Sequence, residues 1–228
     1  MKHLPVVIFC VIVFALSCRN NSSEEQPADS VATVDSTEKL DTVFSEKDNA
    51  FLQQLNFSKY AGSLGAPVDW RKFRMVTSSH EDSLLVSAFQ PDNLYYEEYG
   101  RLLKYSPDSS MFIDLDSYNI EIQKDKTGRF TSIENGPDTE VSLINLDDKK
   151  KTRLVFLGPG NGVEDGAWID NNTVVLIGYR ERDTTRMKTA VIWRYHVPTK
   201  TFHVYESADT VIGGQLSSWR KERLRQIL

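Results

Sequence analysis

An all-β domain of antiparallel hairpins is predicted over residues 70–213, and three observations predict it. Short runs rich in Val, Ile, Tyr, Phe and Thr alternate with polar residues at the two-residue period of a strand buried on one side. Clusters of Asn, Asp, Gly and Pro separate these runs. Three of the separators, at 106–110, 147–150 and 198–200, sit between paired runs and carry turn chemistry. Proline presets φ for a turn position, and Asp and Ser bond their own backbone there. Composition agrees with a globular chain: 228 residues, 40% hydrophobic and 26% charged. A net charge of −5 argues against nucleic-acid binding through global positive charge. Two cysteines are too few for a disulfide framework or a four-cysteine zinc site.

The first element is a leader. Met1, Lys2 and His3 precede an unbroken apolar run over residues 4–16, too short to span a bilayer and of the length of a secretory h-region. Small residues at Ala15 and Ser17 precede Cys18, after which the chain turns polar at Arg19. The segment Ala15-Leu16-Ser17-Cys18 resembles the lipobox of bacterial lipoproteins, with Ala15 and Leu16 in the reverse of the family's usual order. The resemblance implies cleavage after residue 17, lipidation of Cys18 with palmitate among the acyl chains, and residence in a bacterial cell envelope. Arg19, not being Asp, is compatible with sorting to an outer membrane, facing the periplasm or the cell surface. Ala15-x-Ser17 also fits ordinary signal-peptide cleavage, which would leave Cys18 unmodified. A single exposed thiol on an exported chain is an oxidation liability that thioether attachment removes. Each buried methylene of such an anchor contributes about 0.8 kcal/mol, so two or more acyl chains hold stably. Residues 1–17 carry one lysine and no acid, so the mature chain would have a net charge of −6.

Residues 18–44 form the expected tether. Between positions 19 and 50 stand Glu24, Glu25, Asp29, Asp35, Glu38, Asp41, Glu46 and Asp48 against Arg19, Lys39 and Lys47, with no aromatic before Phe44. Such a segment buries too little apolar surface to offset its ordering entropy. As a flexible coil it would reach roughly 25–30 Å. The acids at 24 and 25 also resemble surface-export signals of some Gram-negative lipoproteins. Over 45–69, Ser45 and Asp48 match a capping box, and Phe51, Leu52 and Leu55 recur at helical spacing. A short helix over 46–58 follows, packed on the next domain or on a partner.

Within 70–213 the hairpins pair 101–105 with 111–115, 141–146 with 152–157, and 190–197 with 201–206. Residues 165–176 read as a further inner hairpin around Asp170, Asn171 and Asn172. Residues 105–117 lay over 195–207 without a gap, and the hairpin starts fall 40 and 49 positions apart. In this respect the stretch 84–207 resembles the blades of bacterial β-propeller proteins, which implies antiparallel meanders of propeller-blade-like hairpins. Closed propellers use four or more blades, so strands near 71–76 and 83–89 would complete a fourth partial sheet, or the meander would close as a β-barrel or sandwich.

Residues 214–228 end in a helix predicted over 217–228, where Leu224, Ile227 and Leu228 make one face and four cations stand against Glu222. Trp219 and Leu224 are expected to plug the open end of the β domain; an amphipathic basic helix lying on anionic lipid is the alternative.

Candidate chemistry is sparse. His196 and His203 lie on opposite arms of one hairpin, and one register would set them side by side, but His80 is remote and no third ligand follows by motif. No metal site and no cofactor are therefore expected. The glycine-rich stretch 158–166 has Val163 where a dinucleotide fingerprint needs its third glycine. It reads as a chain reversal, or as a ligand loop with Glu164 and Asp165 as acceptors. Asp114 and Asp116 alternate on one strand; such acids usually face solvent, though a pair of this kind could serve as glycosidase carboxylates. Tyr95, Tyr96, Tyr99 and Tyr105 would form cross-strand pairs or stack sugars. The expected partners are thus a membrane reached through the lipid at Cys18 and an envelope protein or glycan, not nucleic acid. The expected function is non-catalytic binding or scaffolding. The alternative is a glycan hydrolase drawing on Asp114, Asp116, Glu164 or Asp165, and two of these converging in one pocket would favour it.

Overall fold

The computed structural model describes residues 69–182, 187–212 and 218–228. The leader, Cys18, the tether and the helix expected over 46–58 lie outside the described residues. The described part is all-β and antiparallel, as the alternation predicts. One five-stranded sheet runs β2 (Val86–Ala88), β8 (Lys150–Leu157), β7 (Thr139–Asn145), β4 (Met111–Asp114), β3 (Lys104–Tyr105). The other runs β1 (Phe73–His80), β12 (Thr201–Ile212), β11 (Met187–His196), β10 (Thr173–Arg182), β9 (Gly162–Asp170). A separate hairpin joins β5 (Ile120–Lys124) to β6 (Phe130–Glu134). The helices are α1 (Asn93–Tyr99) and α2 (Ser218–Ile227).

Each large sheet is a four-strand meander with a fifth strand, from earlier in the chain, laid along its outer edge. Strands at 71–76 and 83–89 do exist, but they extend the two sheets instead of building a further one. Neither sheet closes into a barrel. The hairpins starting near 101 and 141 belong to one sheet, joined by β4 and β7, so they are the two halves of a single meander and not successive repeats.

The gapless overlay of 105–117 on 195–207 is also one residue out of register. Ser109 and Lys200 are the left-handed residues of their turns, at φ 59° and 50°, and each amide bonds back three residues, to Ser106 and Val197. The equivalent positions are therefore 106–109 and 197–200, which pairs Met111 with Phe202. Both of these side chains enter the core, whereas Phe112 faces the opposite way. A one-residue slip exchanges the two faces of a strand, and the overlay had matched aromatics from opposite faces.

The main core lies between the sheets. Ile113, Val141, Leu143 and Leu154 of the first meet Leu176, Val191, Trp193 and Val204 of the second. In β10 the run Val174–Ile177 is buried on both faces, as its unbroken apolar sequence suggests. The outer face of the first sheet offers Phe112 and Ile144, which α1 covers with Tyr95 and Tyr99. Asp92 caps that helix, accepting from the Tyr95 amide at 2.8 Å. The tyrosines at 95, 96 and 99 are thus helical neighbours; the cross-strand pairing expected of them does not occur. At the far end, α2 sets Leu224 against Leu102, Ile120 and Ile122, the plug expected of it.

Gly178 lies where β10 shifts register against β9, and a Cβ there would stand 2.0 Å from the Gly162 carbonyl oxygen. The variant Gly178→Ala is expected to lose about 1–3 kcal/mol of stability, seen as a lower urea midpoint with an unchanged circular dichroism spectrum.

Candidate functional site

Arg220 and Arg223 are three residues apart on α2, so their side chains leave the same face of the helix. That face points inward. Asp116, in the turn after β4, accepts from Arg220 Nε at 3.1 Å and from Arg223 at 2.8 and 3.0 Å. Arg220 also donates to the Leu115 carbonyl at 3.1 Å and to Asn119 Oδ1 at 2.8 Å. From the other sheet, Glu164 of β9 accepts from the Arg220 backbone amide at 2.8 Å, while its own carbonyl takes Arg223 Nε at 3.1 Å. Asp165 Oδ1 lies 3.6 Å from Lys104 Nζ and 4.0 Å from Arg223 Nε. All five charged groups of this cluster, Asp116, Glu164, Asp165, Arg220 and Arg223, are buried.

Electrostatics divide the acids. Burial by itself would raise the Asp116 carboxyl, but the Arg223 and Arg220 guanidiniums hold it below its usual range. Arg223 is disfavoured by burial and is still held above its usual value by Asp116 and Asp165. Glu164 goes the other way: burial pushes it up to about 7, against the opposing pull of the Arg220 amide and the two guanidiniums.

Glu164 borders a cavity of about 290 Å³ between α2, the β5–β6 hairpin and the start of β9. Tyr179, Glu134, Ser132, Thr139 and Lys221 also face it. Burial, with the Glu164 and Glu134 carboxylates, raises the Tyr179 hydroxyl to about 12, which keeps it a neutral donor at physiological pH. A second groove of about 400 Å³ between β6 and α2 shares Ser132 and Lys221 with this cavity and is bordered also by Arg129, Phe130 and Arg225.

The structure therefore brings together three of the four acids singled out in the sequence: Asp116, Glu164 and Asp165. Asp114 lies apart. It accepts from the Tyr95 hydroxyl at 2.8 Å and from the Ser117 amide and hydroxyl. The solvent-facing role expected of Asp114 and Asp116 is overturned, because both are buried. Glu164 and Asp165 are not loop acceptors either: the reversal ends at Asn161, and both sit buried in β9. Of the four, only Glu164 borders the cavity. His196 and His203 are not side by side. The register sets His196 against Thr201 and Arg194 against His203, which leaves the histidines diagonal on one face. His80 lies 3.1 Å from Asp82. Among the described residues no group of three or more His, Cys, Asp or Glu could hold a metal ion.

Sequence reasoning missed Arg220 and Arg223 as the partners of these acids, and missed Glu134 and Tyr179 altogether. The three-residue spacing of the arginines was the available signal, since it places both on one face of the helix. Comparison with protein-family models, with curated proteins and with solved structures finds no match.

Removing one member of a buried ion cluster strands the others. Asp116→Asn leaves two buried guanidiniums facing a neutral amide, and a loss of about 3–5 kcal/mol in urea unfolding is expected. Glu164 has the opposite sign. Its folded value of about 7 exceeds the ordinary 4.5, so the folded chain holds this proton more tightly than the unfolded one. The resulting stabilisation is complete below pH 4.5 and disappears as pH rises through 7, with a span of about 3 kcal/mol. Glu164→Gln should remove this contribution and be more stable than the parent at pH 8, measured by thermal unfolding from pH 5 to 8.

Proposed function

We propose that the chain is a lipid-anchored protein of a bacterial cell envelope whose β domain is a non-catalytic binding module. The observation that carries the binding role is how the acids are used. Asp116 and Asp165 face the buried arginines of α2, where they hold the helix in place, and neither borders the cavity beside it. What that cavity and groove offer is hydroxyls, cations and carboxylates set among apolar side chains and two aromatic rings, Tyr179 and Phe130, suited to holding a polar ligand. The anchor is supported by the apolar run ending at Ala15-Leu16-Ser17-Cys18 and by the abrupt polarity that follows. An outer-membrane address, facing the periplasm or the cell surface, fits Arg19 after the cysteine.

A second role, glycan hydrolysis, has one specific observation in its favour. Glu164, raised to about 7 by burial, shares its cavity with the exposed Glu134, which places two carboxyl groups on one pocket. Assay of the purified protein on envelope polysaccharides separates the roles: binding without turnover is expected, and turnover lost in Glu164→Gln would replace this reading with the hydrolase.

The anchor is tested by mass spectrometry of the mature N-terminus from cells. The expected first residue is Cys18 carrying a diacylglyceryl group and an amide-linked acyl chain, with Cys18→Ser released from membranes by a salt wash. An unmodified Cys18 on protein that washes free would sink the anchor.

A further inference from the structure

The groove beside α2 has a charge distribution that narrows what it can hold. Its outer end is bordered by three cations, Arg129, Lys221 and Arg225, and by no carboxylate side chain. Arg225 pairs with Glu222 at 2.7 Å. Arg129 and Lys221 are exposed; neither is within ion-pair distance of an acid among the described residues, though Arg129 feels the nearby Asp125 carboxylate, which accepts from its amide at 3.0 Å. The ring between them, Phe130, already attracts cations: Arg101 stands 4.6 Å and Lys124 5.2 Å from its centroid. Positive potential is thus concentrated at one end of a concave surface, where low-dielectric walls strengthen it.

The inner end is different. Ser132 and Lys221 border both parts, which therefore adjoin, and the inner part is lined also by Arg220. Beyond them, the Glu164 and Glu134 carboxyls offer acceptors and Tyr179 offers a hydroxyl. A ligand for this surface needs an anionic group at one end and several hydroxyls at the other, with an apolar face for the ring.

We propose that the groove binds an acidic saccharide, its carboxylate or phosphate held by Arg129, Lys221 and Arg225 and its hydroxyls received by Glu164, Glu134 and Tyr179. This rests on the binding role proposed above and names its ligand class. An anionic lipid surface is disfavoured by the orientation of α2. Trp219 and Leu224, the residues that would enter a bilayer, are buried, and so are Arg220 and Arg223. The exposed cations line a concavity that a flat surface would not fill.

The test is calorimetric titration of the full-length protein, lipidated and in detergent, with tetragalacturonate, mannose 6-phosphate, neutral maltotetraose and inorganic phosphate. At least one of the two charged sugars is expected to bind ten-fold or more tightly than maltotetraose and than inorganic phosphate; which of them does so identifies the anionic group. Lys221→Glu and Arg129→Glu, both surface changes whose folding is checked by circular dichroism, should each weaken that binding at least ten-fold. Glu164→Gln should weaken the charged sugar without altering the response to inorganic phosphate. Equal binding of charged and neutral sugars, binding indifferent to all three substitutions, or binding of phosphatidylglycerol vesicles alone would overturn the proposal. A lipid found on Cys18 with no saccharide bound would overturn it and leave the anchor standing. Saccharide binding by a chain with bare Cys18 would do the reverse.

Discussion

The contact between Asp116 and the paired guanidiniums of Arg220 and Arg223 organises one whole end of this domain. Asp116 belongs to the turn after β4 of the first sheet and Glu164 to β9 of the second, and α2 reaches both with the side chains of Arg220 and Arg223 and the Arg220 backbone amide. Buried ion pairs contribute little net stability compared with apolar packing, because desolvation opposes their attraction. Their larger effect is on alternatives. Without α2, Asp116 and Asp165 would lose their arginine partners. With α2 in place the same acids fix its position and its facing. The helix is therefore specified by charge as well as by the burial of Trp219 and Leu224.

The same helix borders the concavity. Its Leu224 packs on Ile120 and Ile122 of the β5–β6 hairpin, and the groove alongside is bordered by residues the helix turns outward, Lys221 and Arg225. Within a few residues the roles divide: Arg220 and Arg223 are buried in the ion cluster, with Arg220 also bordering the cavity, and Lys221 and Arg225 are exposed. Glu164 joins the two roles, since one oxygen receives the helix amide while the residue borders the cavity.

Much of the fold was legible because strand alternation and turn chemistry are local. The hairpins around 106–110, 147–150, 170–172 and 198–200 are all present. What was not legible is the assignment of hairpins to sheets, which depends on β4 meeting β7 across an inserted hairpin. The helix at Asn93–Tyr99 was hidden for a related reason: four aromatics in a short span suggest strand propensity, while the decisive signal was Asp92 as a cap. At the candidate site the acids were visible and their purpose was not. Asp116 reads as a solvent-facing residue until its partners, more than a hundred positions away, are known. Long-range charge pairing leaves no periodic trace in a sequence.

The strands along the outer edges have a temporal consequence. β1 waits for β12, with partners 121 to 134 positions apart from His80 and Thr201 to Phe73 and Ser207. β2 likewise needs β8. The first sheet can gain its rim once β8 (Lys150–Leu157) exists, but the second is incomplete until β12 (Thr201–Ile212) has been synthesised, and contacts this remote are slow to form. A chain emerging from the ribosome therefore keeps β1 unmated until β12 follows. Under the export proposed above, through a secretion channel before folding, that delay would be an advantage: β12 would act as a clasp on β1, fastened only on the far side.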